Sequence, residues 1–155
     1  MKTIQLTKGK FAIVDDDDYD WIMKWKWYVN SNGYAVRAIR NASTHKDIRM
    51  HREIANTPEG MDTDHINGNK LDNRKCNLRI CTRSENHRNR CKLQGTASRY
   101  KGVTWNDRLK KWQTRIDIPG KQIYLGYYNN EISAALAYNE AAKRIFGEFA
   151  KLNII

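Results

Sequence analysis

Along the first 58 residues the apolar positions come in short alternating runs. Ile4, Leu6, Phe11, Ile13 and Val14 flank a Lys8-Gly9-Lys10 turn, and alternation of that kind fits half-buried strands. Asn32-Gly33 lies between Trp27-Tyr28-Val29 and Tyr34-Ala35-Val36, the signal of a hairpin with a two-residue turn. Trp21, Trp25 and Tyr28 recur at helical spacing and read as core residues. The acidic run Asp15 to Asp18 reads as a solvated turn or a helix N-terminus, where carboxylates suit the positive end of the dipole. Ile48, Met50 and Ile54 predict a strand running into a helix through His51-Arg52, with Pro58 and Gly60 as punctuation.

The pattern then changes. From Asp62 to Asn73 small polar residues crowd together, as they do in turns and loops. Asn77-Leu78-Arg79-Ile80 reads as a short strand. Thr82-Arg83-Ser84-Glu85 is a capping box that opens a helix over about 83–91. The order is strand, polar loop, strand, helix. Residues 93–98 read as a linker. Beyond it, three strands are predicted at about 100–106, 111–118 and 121–128, with turns at Asn106-Asp107 and Pro119-Gly120. A final helix is capped by Asn130 and stopped by Gly147, with Ile132, Ala135, Leu136, Asn139, Ala142 and Ile145/Phe146 as its mostly apolar stripe. The expected fold class is α+β in three parts: a strand-rich extension over 1–60, a motif over 61–93, and a three-strand-plus-helix domain over 98–155.

Charge adds a partner. Lys and Arg total 28 against 17 Asp and Glu, giving +11, distributed as +2 over 1–60, +4 over 61–97 and +5 over 98–155. A basic excess of this size favours a polyanion, because each phosphate contact releases condensed counterions. Three cysteines, an odd number, and no apolar run of the roughly 20 residues that would span a bilayer lead us to expect a reduced, intracellular setting and no membrane.

The polar segment carries candidate chemistry. Phosphodiester hydrolysis needs a base for water, a cation for the charge that builds on the phosphate, and something to hold the base in one tautomer. Asp64 offers a hard oxygen ligand, and His65 suits a general base. Asn86, one turn into the helix, can complete a metal site through its amide oxygen, and Asn77 can hydrogen-bond near His65 and orient it. Arg83 and Arg90 share the helix face of Asn86, beside where a scissile phosphate would lie. Adjacent residues of a regular strand face opposite ways, so a site shared by Asp64 and His65 requires the chain to leave strand geometry there. Cys76, Cys81, His87 and Cys91 are soft ligands and leave open a zinc-stabilised alternative. On the predicted C-terminal sheet, Lys111, Gln113, Arg115 and Asp117 would face outward, and Trp112, Thr114, Ile116 and Ile118 would face the helix.

The string His51-Arg52, Asp64-His65-Ile66-Asn67-Gly68-Asn69-Lys70-Leu71-Asp72-Asn73-Arg74, Asn77-Leu78-Arg79 and Glu85-Asn86-x-x-Asn89 resembles the HNH homing endonucleases of phages and bacteria. That resemblance implies a ββα-metal (His-Me finger) fold and a divalent cation, Mg2+ or Mn2+. Asp64 and Asn86 would be metal ligands, His65 the general base and Asn77 its support, and the products would carry 5′-phosphate and 3′-hydroxyl ends. His51 reads as structural or DNA-facing. Residues 98–154, through Ser98-Arg99-Tyr100-Lys101-Gly102-Val103, Tyr124-Leu125-Gly126-Tyr127-Tyr128 and the alanine-rich helix, resemble the plant APETALA/ethylene-response-factor domain, which inserts a sheet into the major groove of DNA. Lys101, Thr104, Gln122 and Tyr124 replace several base-reading residues of that family. With them, Trp105, Lys111, Gln113 and Arg115 are the expected contacts to double-stranded DNA. The expected enzyme is a monomer that nicks or a homodimer that cuts both strands. The rival classes are a non-catalytic, sequence-specific DNA-binding regulator and a zinc-stabilised RNA-binding module.

Overall fold

The computed structural model describes residues 1–40, 45–89 and 97–155, with the side chains of Arg40 and His45 outside that description. The chain divides into two compact units, 1–86 and 87–155.

The first unit opens with β1 (Lys2–Gln5) and β2 (Phe11–Val14), an antiparallel hairpin. Helix α1 (Asp16–Ile22) follows, with Asp16 and Asp17 solvated in its first turn. Asp18 departs from the solvated reading. It is buried, accepts from the Trp21 indole and pairs with the Lys75 ammonium at 2.9 Å. β3 (Tyr28–Val29), β4 (Ala35–Arg40) and β5 (His45–Arg49) form an antiparallel sheet, and α2 (Met50–Ile54) follows directly. The connection around Asn32-Gly33 is longer than the expected two residues. The Asn30 carboxamide accepts from the N–H groups of Asn32 and Tyr34, and Gly33 takes a positive φ of 82°. Ile4, Leu6, Ala12, Val14, Ile22, Trp27, Ala35, Met50 and Ile54 make one core. Trp21 packs against this core as expected, but the reading of Trp25 is corrected: Trp27 is buried, its indole donating to the Ile22 carbonyl, and Trp25 is 51% exposed under the Arg37 guanidinium. The spacing of the aromatic residues is helical, but α1 ends at Ile22 and the later ones fall in a turn and a strand.

β6 (Asp62–His65) and β7 (Leu78–Cys81) form a separate antiparallel hairpin, and α3 (Arg83–Arg88) follows. Thr82 and Glu85 close the expected capping box: the Thr82 N–H donates to the Glu85 carboxylate, and the Glu85 N–H donates to the Thr82 hydroxyl. The loop between the strands also meets the N-terminal hairpin. Ile13 bridges Asp72 in parallel, donating to the Leu71 carbonyl and accepting from the Asn73 N–H, both at 2.8 Å.

In the second unit β8 (Val103–Asn106), β9 (Lys111–Ile118) and β10 (Lys121–Tyr128) form an antiparallel sheet in the order β10-β9-β8, under α4 (Glu131–Phe146). Strands two and three match their predicted bounds; the first starts later, at Val103, after Gly102, which takes a positive φ of 75° and lies where a Cβ would collide with the Tyr138 ring. The Asn130 carboxamide accepts from the Ile132 and Ser133 N–H groups, and Gly147 ends α4 with a positive φ of 54°. The buried face of α4 is Ala134, Ala135, Tyr138, Ala141, Ala142 and Phe146, so Ile132 and Leu136 of the expected stripe are exposed instead. The small alanines let the helix lie close to the sheet, where the Thr114 hydroxyl donates to the Ala134 carbonyl at 3.1 Å.

Candidate active site

The β6–β7 register places side chains on two faces. Asp62 pairs with Cys81 and Asp64 with Arg79 on one; Thr63 pairs with Ile80 and His65 with Leu78 on the other. The strand stays regular through His65, so the expected break in strand geometry is not found. Asp64 and His65 lie on opposite faces of β6.

On the first face, Asp64 is buried and its Oδ2 accepts from Nε and Nη2 of Arg79 at 2.9 and 2.7 Å. Asn86 of α3 donates from Nδ2 to the Asp62 carboxylate at 3.0 Å. The structure therefore gathers Asp62, Asp64 and Asn86. Asp62 was not singled out by sequence, although its place two residues before Asp64 on a strand is the signal for it. Because Asn86 Nδ2 faces Asp62, its Oδ1 turns away from that carboxylate. Hard oxygen donors from two acids and one amide are the set that a divalent ion such as Mg2+ takes. The buried Cys81 thiol on this face is pushed up to about 11, by burial first and then by Asp64 and Asp62. Two carboxylates, one of them bound by Arg79, and an amide are oxygen donors of the kind that fit a hard cation. A protonated thiol is a poor zinc ligand. Cys76 is exposed, Cys91 lies outside the described residues, and among those described no group of three His, Cys, Asp or Glu side chains could hold a metal ion.

On the second face His65 is 5% exposed. Its Nε2 lies 3.2 Å from Oδ1 of Asn73, whose Nδ2 donates to the Leu71 carbonyl. The amide is thereby oriented with its oxygen toward the ring, so Nε2 carries the proton and Nδ1 the lone pair. Burial lowers the His65 pKa, opposed by the Asn73 hydrogen bond and by Asp64 and Asp72, which leaves a neutral imidazole near pH 7.

Asn77 does not orient the ring, contrary to expectation. It ends a short turn before β7. Its side chain accepts from the Asn67 N–H and donates to Asn67 Oδ1 and the Asp72 carbonyl. It closes the loop that returns Asn73 to His65. Asp72, clamped by Arg74 through two contacts of 2.7 Å and by Asn67 Nδ2, is held below the ordinary carboxylate range, chiefly by the Arg74 hydrogen bond. His51 is not DNA-facing: it is 3% exposed and packs edge-on against His65. Arg83 is exposed, and Arg90 lies outside the described residues.

In the second unit Thr104, Gln113, Arg115, Gln122 and Tyr124 share the sheet face away from α4, and Lys111 is exposed at the β9 end. An extra residue at Leu125 shifts the β10 register between Tyr124 and Gly126, so Tyr127 joins Tyr124 on that face with ring centroids 5.2 Å apart. Two expected contacts are not with them. Trp105 packs edge-on against Trp112 on the helix side, and the Lys101 ammonium donates to the Arg88 carbonyl.

Residues 55–88 match the family model described as HNH endonuclease. Over 151 residues the chain is 32% identical to an uncharacterized HNH endonuclease of Acanthamoeba polyphaga mimivirus, covering 96% of this chain and 77% of that protein. It is 28% identical over 95 residues to Protein 3.8 of Escherichia phage T7, covering 61% of this chain and 77% of that one. The C-terminal region is 44% identical over 57 residues to Dehydration-responsive element-binding protein 2C of Arabidopsis thaliana, which is 36% of this chain and only 16% of the plant protein. No solved structure matches. No helix among the described residues is long and apolar enough to cross a membrane. A relative aligned along nearly the whole chain extends the family match well beyond its short motif: the chain belongs to the HNH endonucleases, enzymes that act on DNA.

Proposed function

We propose that this endonuclease is of the homing type and hydrolyses phosphodiester bonds in double-stranded DNA with His65 as general base. The observation that carries the reading is the pair His65 and Asn73: a buried neutral imidazole with Nε2–H fixed by an oriented amide, on a hairpin whose other face gathers Asp62, Asp64 and Asn86. His65 takes a proton from the attacking water at Nδ1, while Asn73 holds the tautomer. Asp64 and Asn86 would hold one divalent ion, Mg2+ or Mn2+, in a ββα-metal arrangement. That ion, when bound, neutralises charge on the phosphate and the leaving 3′ oxygen. Arg79 holds Asp64 in place through two hydrogen bonds to Oδ2. Products would carry 5′-phosphate and 3′-hydroxyl ends.

The C-terminal unit, similar to part of a plant protein named for element binding, would grip DNA through Thr104, Lys111, Gln113, Arg115, Gln122 and Tyr124. One base per chain implies a nick by a monomer, or a double-strand cut by a homodimer. Supercoiled plasmid incubated with protein and Mg2+ tests the reading. Relaxed or linear product that disappears on chelation and in His65→Ala supports it; undiminished cleavage by His65→Ala sinks it.

A further inference from the structure

Three aromatic rings from three separate segments of the first unit form a triangle. Tyr34 follows the turn at 30–34, His51 lies in α2, and His65 ends β6. Their centroids are 5.0 Å apart for Tyr34 and His51, 4.9 Å for His51 and His65 at 77°, and 6.1 Å for Tyr34 and His65 at 34°, so His51 makes the closer, edge-on contact with His65. His51 is almost wholly buried, and its Nδ1 has no hydrogen-bond partner. It lies upstream of residues 55–88, which match the family model. We propose that His51 is a positioning residue that holds the ring plane of His65 by edge-on packing, a role that rests on His65 being the general base.

The Asn73 hydrogen bond gives Nε2 a direction, and a bond of that kind does not by itself set the plane of the ring about its axis. A second ring set edge-on against the first fixes that plane. His51 is itself held by Tyr34, whose ring also reaches His65 and whose face lies under the Lys70 ammonium at 4.8 Å and the Arg49 guanidinium at 5.6 Å. The unpartnered nitrogen says how the contact works. His51 acts on its neighbour as a flat body and not as a donor or acceptor, so a carbocyclic ring should replace it. A misplacement of the base by about 1 Å can cost on the order of a hundredfold in rate, so the effect belongs in the chemical step and not in DNA affinity.

The full-length chain is compared with His51→Ala, His51→Phe and His65→Ala in single-turnover plasmid cleavage with Mg2+, with thermal unfolding confirming that each variant is folded. His51→Ala should lower the maximal rate by roughly tenfold to a hundredfold with half-saturation for DNA within about twofold, and His51→Phe should return the rate to within about threefold of the parent. A metal-free readout accompanies it: long-range 15N correlation of the imidazoles should show His65 as a single Nε2–H tautomer in the parent and in His51→Phe, and as an exchange average in His51→Ala. A parental rate and tautomer in His51→Ala would overturn the proposal, and so would a His51→Phe variant as slow as His51→Ala. If His65→Ala cleaves like the parent, it is the base assignment that fails; the tautomer spectra still report whether His51 holds the ring.

Discussion

In the first unit Asp64, His65, Asp72, Asn73 and Asn77 are buried and spent on their neighbours: Asp64 on Arg79, His65 on Asn73, Asp72 on Arg74 and Asn67, Asn77 on Asn67. In the second unit Arg115, Gln122, Tyr124 and Tyr127 lie open on a sheet face, over a core of Tyr100, Val103, Ile116, Tyr138 and small alanines. The difference follows from the two tasks. A base must hold one tautomer in one orientation, and buried hydrogen-bond networks supply that rigidity. A surface that meets phosphate and base edges must stay accessible and gains from long-range charge. Damage to the first unit should therefore appear in the rate of the chemical step, and damage to the second in affinity and its salt dependence.

The sharpest way to break this contrast is His65→Ala, expected to lower the maximal cleavage rate by roughly 10²–10⁴-fold while DNA binding in gel shift stays within about twofold. Next is Gly102→Ala, where the new methyl meets the Tyr138 ring and the Arg115 carbonyl at a positive φ. It should destabilise the second unit by about 3 kcal/mol or more, seen in chemical unfolding together with lost DNA affinity. Asn77→Ala removes three hydrogen bonds from the loop, one buried and two partly buried, and should cost about 2–3 kcal/mol by tryptophan-monitored unfolding, with a slower chemical step as the loop loosens. Arg115→Ala should weaken DNA binding about tenfold, leave the maximal rate unchanged, and reduce the slope of log affinity against log salt by about 1.

The smallest expected effect is on pH dependence. Burial, then the neighbouring His65, Arg49 and Arg52, hold His51 down at about 3, below its ordinary 6.5. The unfolded chain thus binds a proton that the folded chain excludes. Stability contributed by the neutral ring is complete above pH 6.5 and falls as pH drops from there toward 3, by at most about 1.4 kcal/mol per unit. His65, also lowered by burial, acts in the same direction. His51→Phe should flatten the decline of unfolding free energy between pH 6.5 and 5. The lowered carboxylate of Asp72 acts in a separate, more acidic window, its stabilisation being lost as pH falls through its folded value.

Much of the fold was legible because local chemistry agreed with tertiary structure. Pro119-Gly120 and Asn130 bound the β9–β10 turn and α4 as read, and Thr82 with Glu85 starts α3. The candidate site was legible as a set of residue types but less so as a set of contacts. Asn73 and Asn77 are chemically identical and four residues apart, and which amide reaches His65 depends on how the loop folds over Ile13, not on any local periodicity. His51 was legible as structural or DNA-facing, but its contact with His65 carries no local signal, since the two rings are 14 residues apart in the chain. The α4 stripe was displaced because apolar spacing favoured large side chains, whereas close approach to the sheet selects alanine.

The backbone bridge at Ile13 limits how the nuclease motif can be separated from its surroundings. A fragment cut to residues 55–88 would lose the chain that satisfies the Leu71 carbonyl and the Asn73 amide hydrogen, and with it the backbone restraint on the amide that faces the imidazole. Grafted into another scaffold, such a cassette would carry the motif letters without their alignment. The smallest portable nuclease in this architecture therefore includes the β1–β2 hairpin, and exchange of parts between relatives should respect that boundary and not the edges of the motif.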